Sequence, residues 1–145
     1  MTLNSSRHQD ETALSARRFA EIDAITEEIS DASEMLSLPN DWDGDGSPAY
    51  RVETFIRASM FVLNHALTFR LIHGNVMPAP KIRKGPDGSI DLHWRTATRE
   101  LLINIPAGSD EPADYYGDDG AGGNPLRGLL DLSTPDYRLM SWLTS

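Results

Sequence analysis

The chain has 145 residues, no cysteine and a formal charge of −9, which suits one domain with a core of its own and excludes disulfides, thiolate metal sites and thiol nucleophiles. Its 39% hydrophobic and 24% charged content is that of an ordinary globular chain, and no apolar run reaches bilayer-spanning length. Residues 1–48 carry 11 acids and 3 bases, residues 49–105 carry 4 and 8, and residues 106–145 carry 7 and 2, giving net charges of −8, +4 and −5. An acidic exterior repels phosphates at long range, so general nucleic-acid binding is disfavoured.

Met1 to Asp10 is polar and lacks the apolar stretch of a signal peptide, so residues 1–11 read as a flexible tail and a cytoplasmic location is expected. From Thr12 to Leu36, Phe19, Ile22, Ile25, Ile29, Ala32 and Leu36 recur at helical spacing, while Glu21, Asp23, Glu27, Glu28 and Asp31 occupy other faces. The segment is an amphipathic helix. Its seam lasts about two heptads, which leaves homo-oligomer formation open. Leu38 to Gly46 breaks the helix with Pro39, Asn40, Gly44 and Gly46. Ser47-Pro48 reads as an N-cap and first residue of a second helix running to His73 before Gly74-Asn75. Apolar residues cover most of that helix's circumference, so it is expected to be the most buried element.

After Pro78 and Pro80 the period changes to two. Lys81 to Lys84 reads as a short strand, Gly85-Pro86-Asp87-Gly88 as a turn, and Ser89 to Arg95 as its partner, with Ile90, Leu92 and Trp94 alternating against Asp91, His93 and Arg95. Arg99 to Ile105 continues with Leu101, Ile103 and Ile105 on one face. Asp114-Tyr115-Tyr116 and Leu126 to Leu132 add candidate strands around a Gly117 to Asn124 loop, and Ser133 or Thr134 caps a last helix over Asp136 to Leu143. The fold expected is α+β: two N-terminal helices packed on a 3–5-stranded antiparallel meander, with a short C-terminal helix, all within a single domain over residues 12–145.

The order Trp42-Asp43-Gly44-x-Gly46, Pro48, Pro86-Asp87-Gly88, Leu92-x-Trp94 and Glu100-Leu101-x-Ile103-x-Ile105 resembles a loose set of uncharacterised short bacterial proteins. That resemblance covers roughly the middle half of the chain. It implies a compact α+β domain and assigns no activity.

Asp41-x-Asp43-x-Asp45-Gly46 matches the first half of a calcium-binding loop, but Val52 stands where the bidentate glutamate belongs. Asp41, Asp43 and Asp45 are therefore an alternative divalent-metal site, and the expectation is no metal and no cofactor. Gly120 to Asn124 lacks the Lys-Ser/Thr ending of a phosphate loop. His8, His65, His73 and His93 show no metal-binding spacing, and the helical pair reads as partly exposed. With no catalytic set evident, the chain is read as a non-enzymatic accessory or regulatory protein that binds another protein, in the manner of an antitoxin, an immunity protein or a complex subunit. An acidic nucleic-acid mimic directed at a basic partner is one alternative, and a divalent-metal-binding domain or enzyme using Asp41, Asp43 and Asp45 is the other. The preferred partner surface is Glu21, Asp23, Glu27, Glu28 and Asp31, facing a basic patch, and the alternative surface is Arg83, His93 and Arg95.

Overall fold

The structure, a computed structural model, describes residues 2–108 and 110–145, and the side chains of these except 2–8 and 14–21. Helix α1 spans Thr2–Ala32, ten residues earlier than expected, and passes into a 3-10 turn at Ser33–Ser37. The first turns need no apolar stripe to be helical, and Gln9 to Ala13 are all exposed. Among the described side chains of α1, Ile25 is enclosed and Ile29 and Ala32 pack partly against the core.

Helix α2 spans Val52–His73 and starts four residues after the expected proline. The reason lies in the preceding loop. The Ser47 hydroxyl donates to the Asp43 carboxylate rather than capping a helix, and Asn40 Oδ1 accepts from the Ala49 N–H at 2.9 Å. Tyr50 is buried, and its hydroxyl donates to Gly85 O at 2.8 Å, which holds the chain extended up to Arg51. The other end is as expected: Gly74 takes the left-handed conformation, φ 74°, and its N–H donates to Arg70 O at 2.8 Å.

Strands β1 (Lys81–Lys84), β2 (Ile90–Arg95), β3 (Glu100–Ile105), β4 (Ala113–Asp118) and β5 (Leu126–Leu130) form one antiparallel sheet in sequence order. The β1–β2 turn uses Asp87 and Gly88 at positive φ, as the Pro-Asp-Gly chemistry predicts. Alternation sends Ile82, Leu92, Trp94, Leu101, Ile103 and Ile105 to one face, where all are buried. There they meet Phe55, Phe61, Val62 and Phe69 of α2, together with Leu139, Met140 and Leu143 of α3 (Tyr137–Thr144). Trp94 is 1% exposed, and its indole N–H donates to Pro78 O at 3.0 Å, so the largest core side chain leaves no donor unpaired.

The cap of α3 is Asp136, whose carboxylate accepts from the Leu139 N–H at 3.1 Å, rather than Ser133 or Thr134. The Ser133 N–H and hydroxyl both donate to Asp131, which removes that residue from the capping role. Trp142 of α3 lies over Gly117 of β4: a Cβ on that glycine would stand 2.8 Å from the indole ring. Arg99 stacks on the same indole at 5.0 Å and donates to Trp142 O, fixing α3 across the sheet. No helix is long and apolar enough to cross a membrane, among the described residues.

Candidate functional site

Three surfaces follow from the sequence, and a fourth emerges only in the structure. Along α1, Asp23, Glu27 and Asp31 are exposed, whereas the side chain of Glu21 lies outside the described residues, as does that of Phe19. Glu28 differs from its neighbours. Its Oε1 accepts from the Ile82 N–H at 2.9 Å and its Oε2 lies 3.9 Å from Lys81 Nζ. Ile82 belongs to the edge strand β1, so Glu28 satisfies an outward-pointing backbone donor and holds α1 against the sheet edge. That leaves a shorter row of free carboxylates than the sequence suggests.

The second surface is the sheet face away from the helices. The register lines up Lys81, His93, Leu102, Tyr116 and Arg127 in one row and Arg83, Asp91, Asn104, Asp114 and Leu129 in the next. Ile82 lies on the buried face, so Lys81 and Arg83 join the open one. His93 Nε2 lies 2.6 Å from Glu100 Oε1, and Arg95 reaches the same carboxylate at 3.4 Å. The hydrogen bond from His93, assisted by Arg95, holds the Glu100 carboxyl below its usual range. Asn104 Nδ2 donates to Asp91 at 2.8 Å and to Ser89 Oγ at 2.9 Å. His93 and Arg95 are thus brought together with Glu100, while Arg83 stands directly opposite Asp91 in the next row. The cross-strand ion pairs of this face converge on Glu100, among the described residues, beside the exposed Leu102, Tyr116 and Leu129.

In the third, the aspartate loop, the carboxylates are turned onto the backbone. Asp41 Oδ1 accepts from the Gly46 N–H at 2.7 Å, and Asp43 Oδ1 accepts from the N–H groups of Asp45 at 3.0 Å and Ser47 at 3.2 Å. The Ser47 hydroxyl, with these amides, holds the Asp43 carboxyl below its usual range. Among the described residues, the Asp45 side chain makes no comparable contact. Among the described residues no grouping of three or more His, Asp or Glu side chains is arranged to hold a metal ion. Trp42 is half-buried beside the loop, tilted on Tyr50 at 6.1 Å, with its indole N–H donating to Pro48 O at 3.3 Å.

The histidines of α2 correct the sequence reading of a partly exposed pair. His73 is exposed, but His65 is 3% exposed. Its Nδ1 lies 2.8 Å from Phe61 O, and its Nε2 accepts from the Asp136 N–H at 3.1 Å. Both nitrogens are satisfied only in the neutral tautomer with the proton on Nδ1. Burial holds the His65 pKa below its usual value. The residue is a structural link between α2 and the start of α3.

The fourth surface is the outward side of α2, and it overturns the expectation that this helix is the most buried element. Only one side is enclosed, by Phe55, Ala58, Phe61, Val62, Ala66 and Phe69. On the opposite side Val52 (54%), Ile56 (53%), Met60 (49%), Leu67 (56%) and Leu71 (87%) remain exposed, with Leu63 partly so. At 100° per residue these six fall within about a third of the helix circumference. Met60 also borders a depression of about 670 Å³ towards β5, lined by Leu129 and Leu132 but also by Arg57, Asp110, Glu111 and Asp131. Comparison with family models, with curated proteins and with solved structures finds no match to this chain.

Proposed function

We propose that this protein works by binding protein, as a non-enzymatic accessory or regulatory component, and that its principal contact surface is the outward face of α2. A single observation carries the reading: an apolar stripe runs along the solvent side of a helix whose other side already fills the core. Isolated exposed apolar residues are ordinary, but six in register along about 29 Å of helix form a contiguous patch. Such a stripe fits the apolar side of another helix, laid along it ridge into groove. The exposed carboxylates of α1 lie on a different surface and form no part of this contact.

Site-specific photo-crosslinking in cells that naturally express the protein tests this. A photoreactive residue at Leu67 is expected to form a protein adduct, whereas one at Asp23 is not. Equal labelling at both positions, or no protein adduct at Leu67, refutes the reading.

A further inference from the structure

Resting on that reading, we infer that the occupant of the α2 face is a second copy of this chain, packed antiparallel about a two-fold axis between residues 61 and 62. The argument begins with the spacing. Glu53, Met60 and Leu67 recur every seven residues, and so do Ile56, Leu63 and Arg70, three residues further on. Together they form a two-stranded seam of the kind that packs helix on helix at a small crossing angle. In an antiparallel pair, each residue of the first series meets one of the second in the partner. About the proposed axis Met60 meets the partner's Leu63, Ile56 meets the partner's Leu67, and Glu53 meets the partner's Arg70.

The stripe is therefore complementary to itself in shape and in charge. Glu53 is exposed and Arg70 partly exposed, and neither makes an ion pair among the described residues. An antiparallel pair places opposite charges at both ends of the apolar stretch. A parallel pair would instead set Glu53 against Glu53 and Arg70 against Arg70, which costs stability. The area is adequate as well. Half the surface of five large side chains, with part of Leu63, is on the order of 500 Å² per copy, or about 1,000 Å² for the pair, which reaches the lower limit of a specific interface.

Charge outside the stripe opposes the pairing, because each copy carries −9. Screening that repulsion should strengthen the dimer, the opposite of what salt does to a complex between this acidic chain and a basic partner. The test is sedimentation of the full chain at 5–100 µM in low and high salt, with circular dichroism to confirm that every variant is folded. A dimer that tightens with salt is expected. Met60→Glu and Leu67→Glu, at positions open to solvent in one copy, should each weaken association at least tenfold. Glu53→Arg and Arg70→Glu should each weaken it, and the two together should restore it. A monomer at 100 µM in both salts overturns the inference, as does a dimer indifferent to Met60→Glu. Failure of the double exchange to restore pairing overturns the antiparallel register. A monomer that still crosslinks to a different polypeptide at Leu67 removes the second copy and keeps the protein-binding reading. A monomer without any adduct there removes both.

Discussion

Replacing His65 by leucine should produce a stability deficit that shrinks as the solution is acidified. In the folded protein the ring accepts the Asp136 N–H at the start of α3, and its other nitrogen faces Phe61 O. Leucine fills much of the space but accepts no hydrogen bond. Leaving a buried N–H unpaired costs about 1–3 kcal/mol, and the Asp136 N–H is part-buried, so the deficit near pH 7.5 should lie towards the lower end of that range. Burial lowers the folded-state pKa of His65 below its unfolded value of about 6.5. Between those two values the unfolded chain binds the extra proton and the folded one does not. The histidine's contribution is therefore complete above the unfolded pKa and falls as pH drops through the window below it, by up to about 1.4 kcal/mol per pH unit. The leucine variant has no such loss. Urea unfolding followed by tryptophan fluorescence from pH 7.5 to 5, for both proteins, reads the difference directly. A gap that stays constant over that range would refute the reasoning, since His65 would then titrate alike in both states.

Glu28→Ala should destabilise the protein by about 1–3 kcal/mol, because it leaves the Ile82 N–H without its acceptor, whereas Glu28→Gln should retain most of the stability through its amide oxygen. Equal losses from the two substitutions in thermal unfolding would show that charge, not acceptance, is what matters. Millimolar calcium should leave the melting temperature unchanged, since the Asp43 carboxylate is already occupied by backbone and serine donors. A rise of several degrees that Asp43→Ala abolishes would establish a site in the loop.

What the sequence makes legible is whatever depends on neighbours along the chain. Period-two alternation in Ile90 to Trp94 and Leu101 to Ile105, with Pro-Asp-Gly between flanking strands, places three strands within a residue or two of their observed ends. Gly74 ends α2 where a left-handed residue is needed. Errors arise where a side chain has a competing partner. Ser47 looks like a cap because its type and position are right, but the Asp43 carboxylate takes its hydroxyl. Glu28 is indistinguishable from Glu27 by pattern, and its acceptor role depends on a strand 54 residues away. The outward face of α2 is the most instructive case. Periodicity reports that a face is apolar, and a helix apolar on all sides is ordinarily enclosed. Whether the enclosing surface belongs to the same chain is decided by how many layers the fold supplies, and here the sheet and α3 cover one side only.

The strand order β1 to β5 also gives the sheet two unequal margins. At one of them α1 lies alongside, and Glu28 engages an outward amide of β1. At the other, β5 has β4 as its one strand neighbour, Leu129 is 71% exposed, and the preceding segment from Asp119 to Pro125 is exposed throughout. Local unfolding in such a sheet should be directional: amides of β5 are expected to lose protection before those of β2 and β3, each paired on both sides. The margin at β5 is consequently expected to be more open than the β1 margin to proteolytic nicking and to strand exchange between copies.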